Sequence, residues 1–194
     1  MATQKDAFLS KVKTAGANID LSLVRKAYEF SQNAHSGQKR KNGADFFSHV
    51  ENVALLALKY SPDTESVCAA LLHDVVEDTN IPLETIEREF GKGVSFLVDG
   101  LTKIEAKKSR KTNKQLTVKK VIRFGQKDPR VFTLKFVDKL DNLNTIYVHP
   151  KEKQVEIVNE LKTLYIPSAQ KLGLKMIEEE FTRQYSKYKK KLGM

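Results

Sequence analysis

The stretch VCAALLHDVVED, residues 67–78, decides how this chain is read. It contains no Gly or Pro, and its apolar run ends in four ionisable residues: His73, Asp74, Glu77 and Asp78. Such a run predicts a helix. On a helix, His73 and Glu77 share a face one turn apart, as do Asp74 and Asp78, so all four crowd one end. Carboxylates at these spacings repel by about a few tenths of a kcal/mol per exposed pair, and by more where water is scarce. A divalent cation would remove that repulsion. A helix end that surfaces from the core with its charges in water gives the same pattern. The two readings part only if other segments bring His or Asp onto otherwise apolar faces.

Two segments do so. In FFSHVENVALLALKY, residues 46–60, His49 shares a helical face with Val53 and Leu56, so its ring turns inward. It is there as a metal ligand or as a hydrogen-bonded core residue. In RVFTLKFVDKLDNLNTIY, residues 130–147, Phe132, Phe136, Leu140, Leu143 and Tyr147 form an apolar stripe. A polar stripe of Asp138, Asn142 and Thr145 runs beside it. Asp138 follows Val137 and is expected to be at least partly buried. A buried carboxylate is costly unless it is paired or bound to metal, and both partners stay open at this point. Two histidines and two aspartates from three helices make a donor set that suits Mn²⁺, Fe²⁺ or Zn²⁺ better than Ca²⁺. Such a site can acidify a water for attack at phosphorus. Glu77 and Asp78 would then orient the water or move its proton.

The rest of the chain predicts helices over 5–13, from the Asp20 cap to near Gly37, and over 83–90, 94–104 and 114–126. Residues 35–45, HSGQKRKNGAD, and 107–113, KKSRKTN, read as polar loops, the second mobile. Residues 151–173 form a long helix that Pro167 kinks or breaks, and 176–192 close the chain with a basic tail. No strand, repeat or linker is evident. The expectation is an all-α fold: one domain over 1–194, a helical bundle with one core and a metal site between helices.

Composition narrows the partners. The net charge is +10, from 34 Lys and Arg against 24 Asp and Glu. That points to an anionic partner: nucleic acid, membrane headgroups or a phosphorylated small molecule, with solubility alone as the plain alternative. The single cysteine, Cys68, cannot form an internal disulfide, which fits a reducing compartment. The N-terminus lacks the apolar stretch of a secretory signal, and no run approaches ~20 apolar residues. A cytoplasmic protein with no membrane partner is expected.

His49, the His73-Asp74 pair and Asp138 resemble the H…HD…D signature of HD-superfamily metal phosphohydrolases. The surrounding motifs are more specific: HSGQKRKNG at 35–43, LLHDVVEDT at 71–79, FGKGVSFLVDGLTK at 90–103, DPRVFTLKFVDKLDNLNT at 128–145 and YIPSAQKLG at 165–173. Together they resemble the hydrolase domain of the RelA/SpoT alarmone family over roughly residues 21–180. The chain has no length for the synthetase or regulatory domains of the long members, so it looks like a stand-alone small alarmone hydrolase. The resemblance implies Mn²⁺-dependent hydrolysis of the 3′-diphosphate of ppGpp or pppGpp, giving GDP or GTP and pyrophosphate. It implies one ion per chain, for which Fe²⁺, Zn²⁺ or Co²⁺ could substitute, held by His49, His73, Asp74 and Asp138. Glu77 and Asp78 match the catalytic pair. Arg40, Lys41 and Asn42 match the loop that holds the nucleobase. Asn142 and Thr145 match positions on the ribose and phosphate side, and Lys103 is a phosphate contact.

The chain departs from the long members' ADRLHN pattern. Lys139 stands where Arg is usual, Asp141 where His is usual, Asn144 where Arg is usual, and Asn42 replaces Ser. These changes leave the ligands intact and open the base preference, so ppApp and pppApp are alternative substrates. Removal of a phosphate from another nucleotide such as NADPH is a second alternative. A non-catalytic nucleotide or nucleic-acid binding module is a third, without a recognisable nucleic-acid motif to support it.

Overall fold

A computed structural model describes residues 3–15, 18–104 and 109–194. Among these residues the chain is all-α, as expected, with one isolated bridge between Lys39 and Asp45 and no strand. No helix among them is long and apolar enough to cross a membrane. The chain divides into two compact units, Met1–Lys135 and Phe136–Met194.

The first unit holds α1 (Gln4–Ala15), α2 (Leu21–Ala34), α3 (Phe46–Tyr60), α4 (Thr64–Leu72), α5 (Val75–Asp78), α6 (Leu83–Leu101), α7 (Arg110–Gly125) and the start of α8 (Arg130–Asn144). Helix α4 is its centre. Residues 67–72 are fully buried, because a helix apolar on all sides must be packed on all sides. α2, α3 and α6 supply that cover. Burial pushes the Cys68 thiol up to about 12, which makes it a packing group rather than a nucleophile. Asp63 caps α4 by accepting from the Ser66 amide at 2.9 Å, and Asp20 caps α2 in the same way. Arg130 ties the start of α8 to α4, pairing with Asp63 at 2.9 Å, Glu65 at 2.8 Å and Asp128 at 2.7 Å.

Three expectations about the first unit change. The helix over 67–78 is broken: α4 ends at Leu72, and α5 is a single turn that starts at Val75. The reason is local competition. The His73 ring, through Nδ1, takes the Ala70 carbonyl at 2.8 Å, a group that would otherwise continue the backbone ladder. The helices expected over 83–90 and 94–104 merge into α6 with a kink at Gly91, whose φ of 87° only glycine adopts freely. The loop expected over 107–113 is helical from Arg110, capped by the Ser109 hydroxyl at the Thr112 amide. Lys107 and Lys108 lie outside the described residues.

The second unit holds the rest of α8, a 3-10 turn (Ile146–Val148), α9 (Lys151–Glu160), a π turn (Leu161–Tyr165), α10 (Ile166–Lys171) and α11 (Lys175–Leu192). Phe136, Tyr165 and Phe181 pack ring against ring, with centroids 5.4 to 5.9 Å apart. The Tyr188 hydroxyl donates to the Leu143 carbonyl at 2.6 Å and seats α11. The long helix expected over 151–173 is interrupted by the π turn just before Pro167. Proline lacks an N–H and its ring clashes with the carbonyl four residues back, so the turn there opens. The apolar stripe of α8 fails at its last member. The helix ends at Asn144, the tighter 3-10 turn shifts the phase, and Ile146 is buried while Tyr147 is 58% exposed.

Candidate metal centre

α3 and α4 pack side by side. That brings His49 from the inner face of α3 to the two residues that follow α4. His49, His73 and Asp74 each offer a donor atom, and these atoms all lie within 4.8 Å of one another. Nε2 of His73 is 3.1 Å from Oδ2 of Asp74, and Nε2 of His49 is 3.6 Å from the same oxygen. Both rings are 3% exposed.

The tautomer of His73 follows from its partner. A carbonyl oxygen only accepts, so the Nδ1 that meets Ala70 carries the hydrogen. In the neutral ring Nε2 then presents a lone pair close to a carboxylate oxygen. Two acceptors at that distance repel unless a cation or a proton lies between them. An imidazole fixed through its far nitrogen to a backbone carbonyl is the arrangement that metal-binding histidines use. The three donors fit a divalent cation of the Mn²⁺, Fe²⁺ or Zn²⁺ type.

The break after Leu72 places the acidic groups differently from one continuous helix. Glu77 accepts from the Lys103 backbone amide at 3.1 Å and pairs with the Lys103 ammonium. Lys103, expected as a phosphate contact, thus already meets a carboxylate, and a substrate phosphate would compete for it. The Asp78 carboxyl is raised above the usual range, first by loss of solvation, then by the charges of Asp74 and Glu77; Lys103 and His35 pull the other way.

The 38–46 loop is tightly built. The Arg40 amide donates to the Ala44 carbonyl at 2.9 Å and the Gly43 amide to the Arg40 carbonyl at 2.9 Å, with Gly43 at a φ of 83°. The Asn42 side-chain oxygen accepts from the Ala44 amide at 3.1 Å, so it shapes the turn. Lys41 is exposed and Arg40 half-buried. Gln38 anchors the loop by donating from Nε2 to the Asp78 carbonyl at 3.0 Å.

Asp138, Asn142 and Thr145 belong to the second unit. Asp138 is half-buried and accepts from Asn142 Nδ2 at 2.6 Å, and Thr145 Oγ1 donates to the Asn142 carbonyl at 3.3 Å. On α8 the polar stripe keeps Asp138 and Asn142, while Thr145 lies one residue past the helix end. Two of the departures from the family pattern answer one another: Asp141 is buried and accepts from Asn144 Nδ2 at 3.3 Å. Lys139 pairs with Glu160 at 3.1 Å and lies over the Tyr165 ring. The sequence reading passed over His35, which is 2% exposed. The signal was there: His35 continues the buried series Ala27, Ser31 of α2 by four more residues.

The fold and the site define a helical protein in which two buried histidines and a half-buried aspartate form a cluster that could hold a divalent cation. The HD domain family pattern matches residues 27–175, and the chain belongs to that family. Among its relatives is the guanosine-3′,5′-bis(diphosphate) 3′-pyrophosphohydrolase of Aquifex aeolicus (strain VF5), 40% identical over 85% of this chain and 24% of that protein. The protein of the same name from Borreliella burgdorferi is 35% identical over 80% of this chain and 24% of its own length. The GTP pyrophosphokinase of Streptomyces coelicolor is 37% identical over 82% of this chain and 19% of its own. The chain thus spans about a fifth to a quarter of these relatives. A solved structure, described as a metazoan ortholog of SpoT that hydrolyzes ppGpp and plays a role in starvation responses, has a similar fold. Its TM-score is 0.66 at 24% identity, covering 86% of this chain and 95% of that one.

Proposed function

We propose that this protein hydrolyses the 3′-diphosphate of (p)ppGpp-type alarmones in an Mn²⁺-dependent reaction. The observation that carries the proposal is the cluster of buried His49 and His73 with half-buried Asp74, His73 being fixed as an Nδ1–H tautomer. The names of the two 3′-pyrophosphohydrolase relatives support the substrate. Asp138 enters as the fourth ligand from the sequence motif alone. When bound, the cation supplies an acidified water and screens the charge on the phosphates.

The chain's own groups do the rest. The overall change adds water across the 3′ phosphoester: the water oxygen joins phosphorus, the 3′ oxygen takes a proton, and pyrophosphate leaves. Asp78, with its raised proton affinity, suits a group that takes and returns that proton. Glu77, held by Lys103, orients the water. Arg40 and Lys41 present cations from the loop whose turn Asn42 closes, where a guanidinium can lie on a base face. Asn142 and Thr145 enter, like Asp138, from the sequence motif alone, as the proposed contacts to the sugar and phosphates.

Adenosine alarmones are a second reading. The replaced residues Asp141 and Asn144 bond each other and so remove a His and an Arg together. The test is product analysis after incubation with Mn²⁺ and ppGpp, pppGpp, ppApp or NADPH. Pyrophosphate from a guanosine or adenosine alarmone supports the proposal and ranks the bases. Orthophosphate from NADPH alone, with no pyrophosphate from any alarmone, overturns it in favour of a nucleotide phosphatase.

A further inference from the structure

His35 sits at the end of α2, enclosed and stacked on Phe46 with ring centroids 4.8 Å apart and planes 27° from parallel. Its Nδ1 lies 2.9 Å from Gln38 Oε1. The Gln38 amide is oriented by its other end, where Nε2 meets the Asp78 backbone carbonyl. A carbonyl only accepts, so the amide nitrogen must face Asp78 and the amide oxygen must face His35. An amide oxygen also only accepts, so His35 carries its hydrogen on Nδ1. The remaining ring atom, Nε2, is enclosed with no hydrogen-bond partner among the described residues. A buried acceptor left so is a net cost. A phenyl ring would stack on Phe46 without that cost. What the imidazole adds is the Nδ1 hydrogen.

That hydrogen fixes a short chain of bonds. It runs from the end of α2 through Gln38 to the last residue of α5. Gln38 is also the base of the loop, since its own carbonyl accepts from the Phe46 amide at 3.0 Å. We propose that His35 is a positioning residue: its Nδ1 hydrogen locks Gln38, which holds the loop of Arg40, Lys41 and Asn42 in register with Asp78. This rests on the assignment of Asp78 as the proton carrier. Base recognition and proton transfer are thereby held at one fixed spacing.

Three variants test it: His35→Phe, His35→Asn and Gln38→Ala. The Asn side chain offers an N–H close to the place of Nδ1. In the metal-free protein, amide exchange at residues 40–46 and 78–79 is expected to rise about tenfold in His35→Phe and Gln38→Ala. His35→Asn is expected to restore most of the protection. With Mn²⁺ and ppGpp, kcat falls about tenfold in the first two variants while Mn²⁺ affinity holds, and Asn rescues it. Nitrogen-15 spectra of the wild type are expected to show the Nδ1–H tautomer at His35. An Nε2–H tautomer overturns the inference, as does unchanged exchange in Gln38→Ala or equal loss in the Asn and Phe variants. A wild type that turns over no alarmone contradicts the proposed function, and the exchange and tautomer results still decide the bond chain.

Discussion

His73 shows how a single hydrogen bond does two jobs. By taking the Ala70 carbonyl it ends α4, and by the same contact it turns Nε2 toward the carboxylate of Asp74. Asp74→Asn and His73→Ala are therefore expected to lose both metal affinity and turnover. Asp78→Ala is expected to keep the metal and lose roughly 100-fold or more in kcat. Calorimetric Mn²⁺ binding beside steady-state rates separates these outcomes, and equal loss of metal in all three variants would refute the division of roles. The His73-Asp74 pair and the inward turn of His49 are legible in the sequence because they follow from apolar spacing. The break at Leu72 is not, because spacing carries no sign that a side chain will compete with the backbone for one carbonyl. The buried state of His35 was legible in the phase of α2, but the polar HSGQ run concealed it.

Among the elements, α4 and α2 carry two weak acids into the core. The Cys68 thiol and the Tyr28 hydroxyl are each pushed up to about 12, burial being the first cause in both. A folded-state pKa above the unfolded one gives stability that is complete below the unfolded value and lost as pH rises through the folded one. Alkaline destabilisation should therefore set in above about pH 9 and grow toward pH 12, on the order of 3 to 4 kcal/mol per group. Urea unfolding across that range should show the slope in the wild type, and a combined Cys68→Ala and Tyr28→Phe variant should reduce it, leaving the part due to Tyr165 and Tyr188, whose hydroxyls burial also raises. A slope unchanged by both substitutions would mean that other groups titrate. The kink in α6 allows a simpler check. Gly91→Ala places a Cβ at a φ of 87°, so it should cost about 1 kcal/mol in the same unfolding assay, despite the open space around it. Gly91 and Pro167 were legible as breaks. The π turn of Leu161–Tyr165 was not, because its position depends on which carbonyl the proline ring displaces.

For the whole molecule, part of the basic excess behind the charge of +10 gathers on one helix. On α7, Lys119, Lys120 and Arg123 line a cavity of about 340 Å³ together with Asp99, Ile104 and Leu116. Lys120 is tied to Asp99 at 2.6 Å, which leaves Lys119 and Arg123 to face an anion. A double Lys119→Ala, Arg123→Ala variant should raise KM for ppGpp and weaken its dependence on salt, with kcat little changed. Identical KM curves against salt would assign this charge to solubility. The all-α fold and the His49, His73 and Asp74 cluster follow from local patterns in the chain; the two-unit division does not, since no linker of Gly, Ser or Pro marks Lys135 from Phe136. The central claim is that buried imidazoles and a carboxylate grip a cation. Its most direct test is Mn²⁺ titration of the metal-free protein followed by electron paramagnetic resonance. A single tight ion per chain is expected, lost in His49→Ala and Asp74→Asn while circular dichroism shows the helices intact. Binding by the wild type no stronger than by Asp74→Asn would contradict the account.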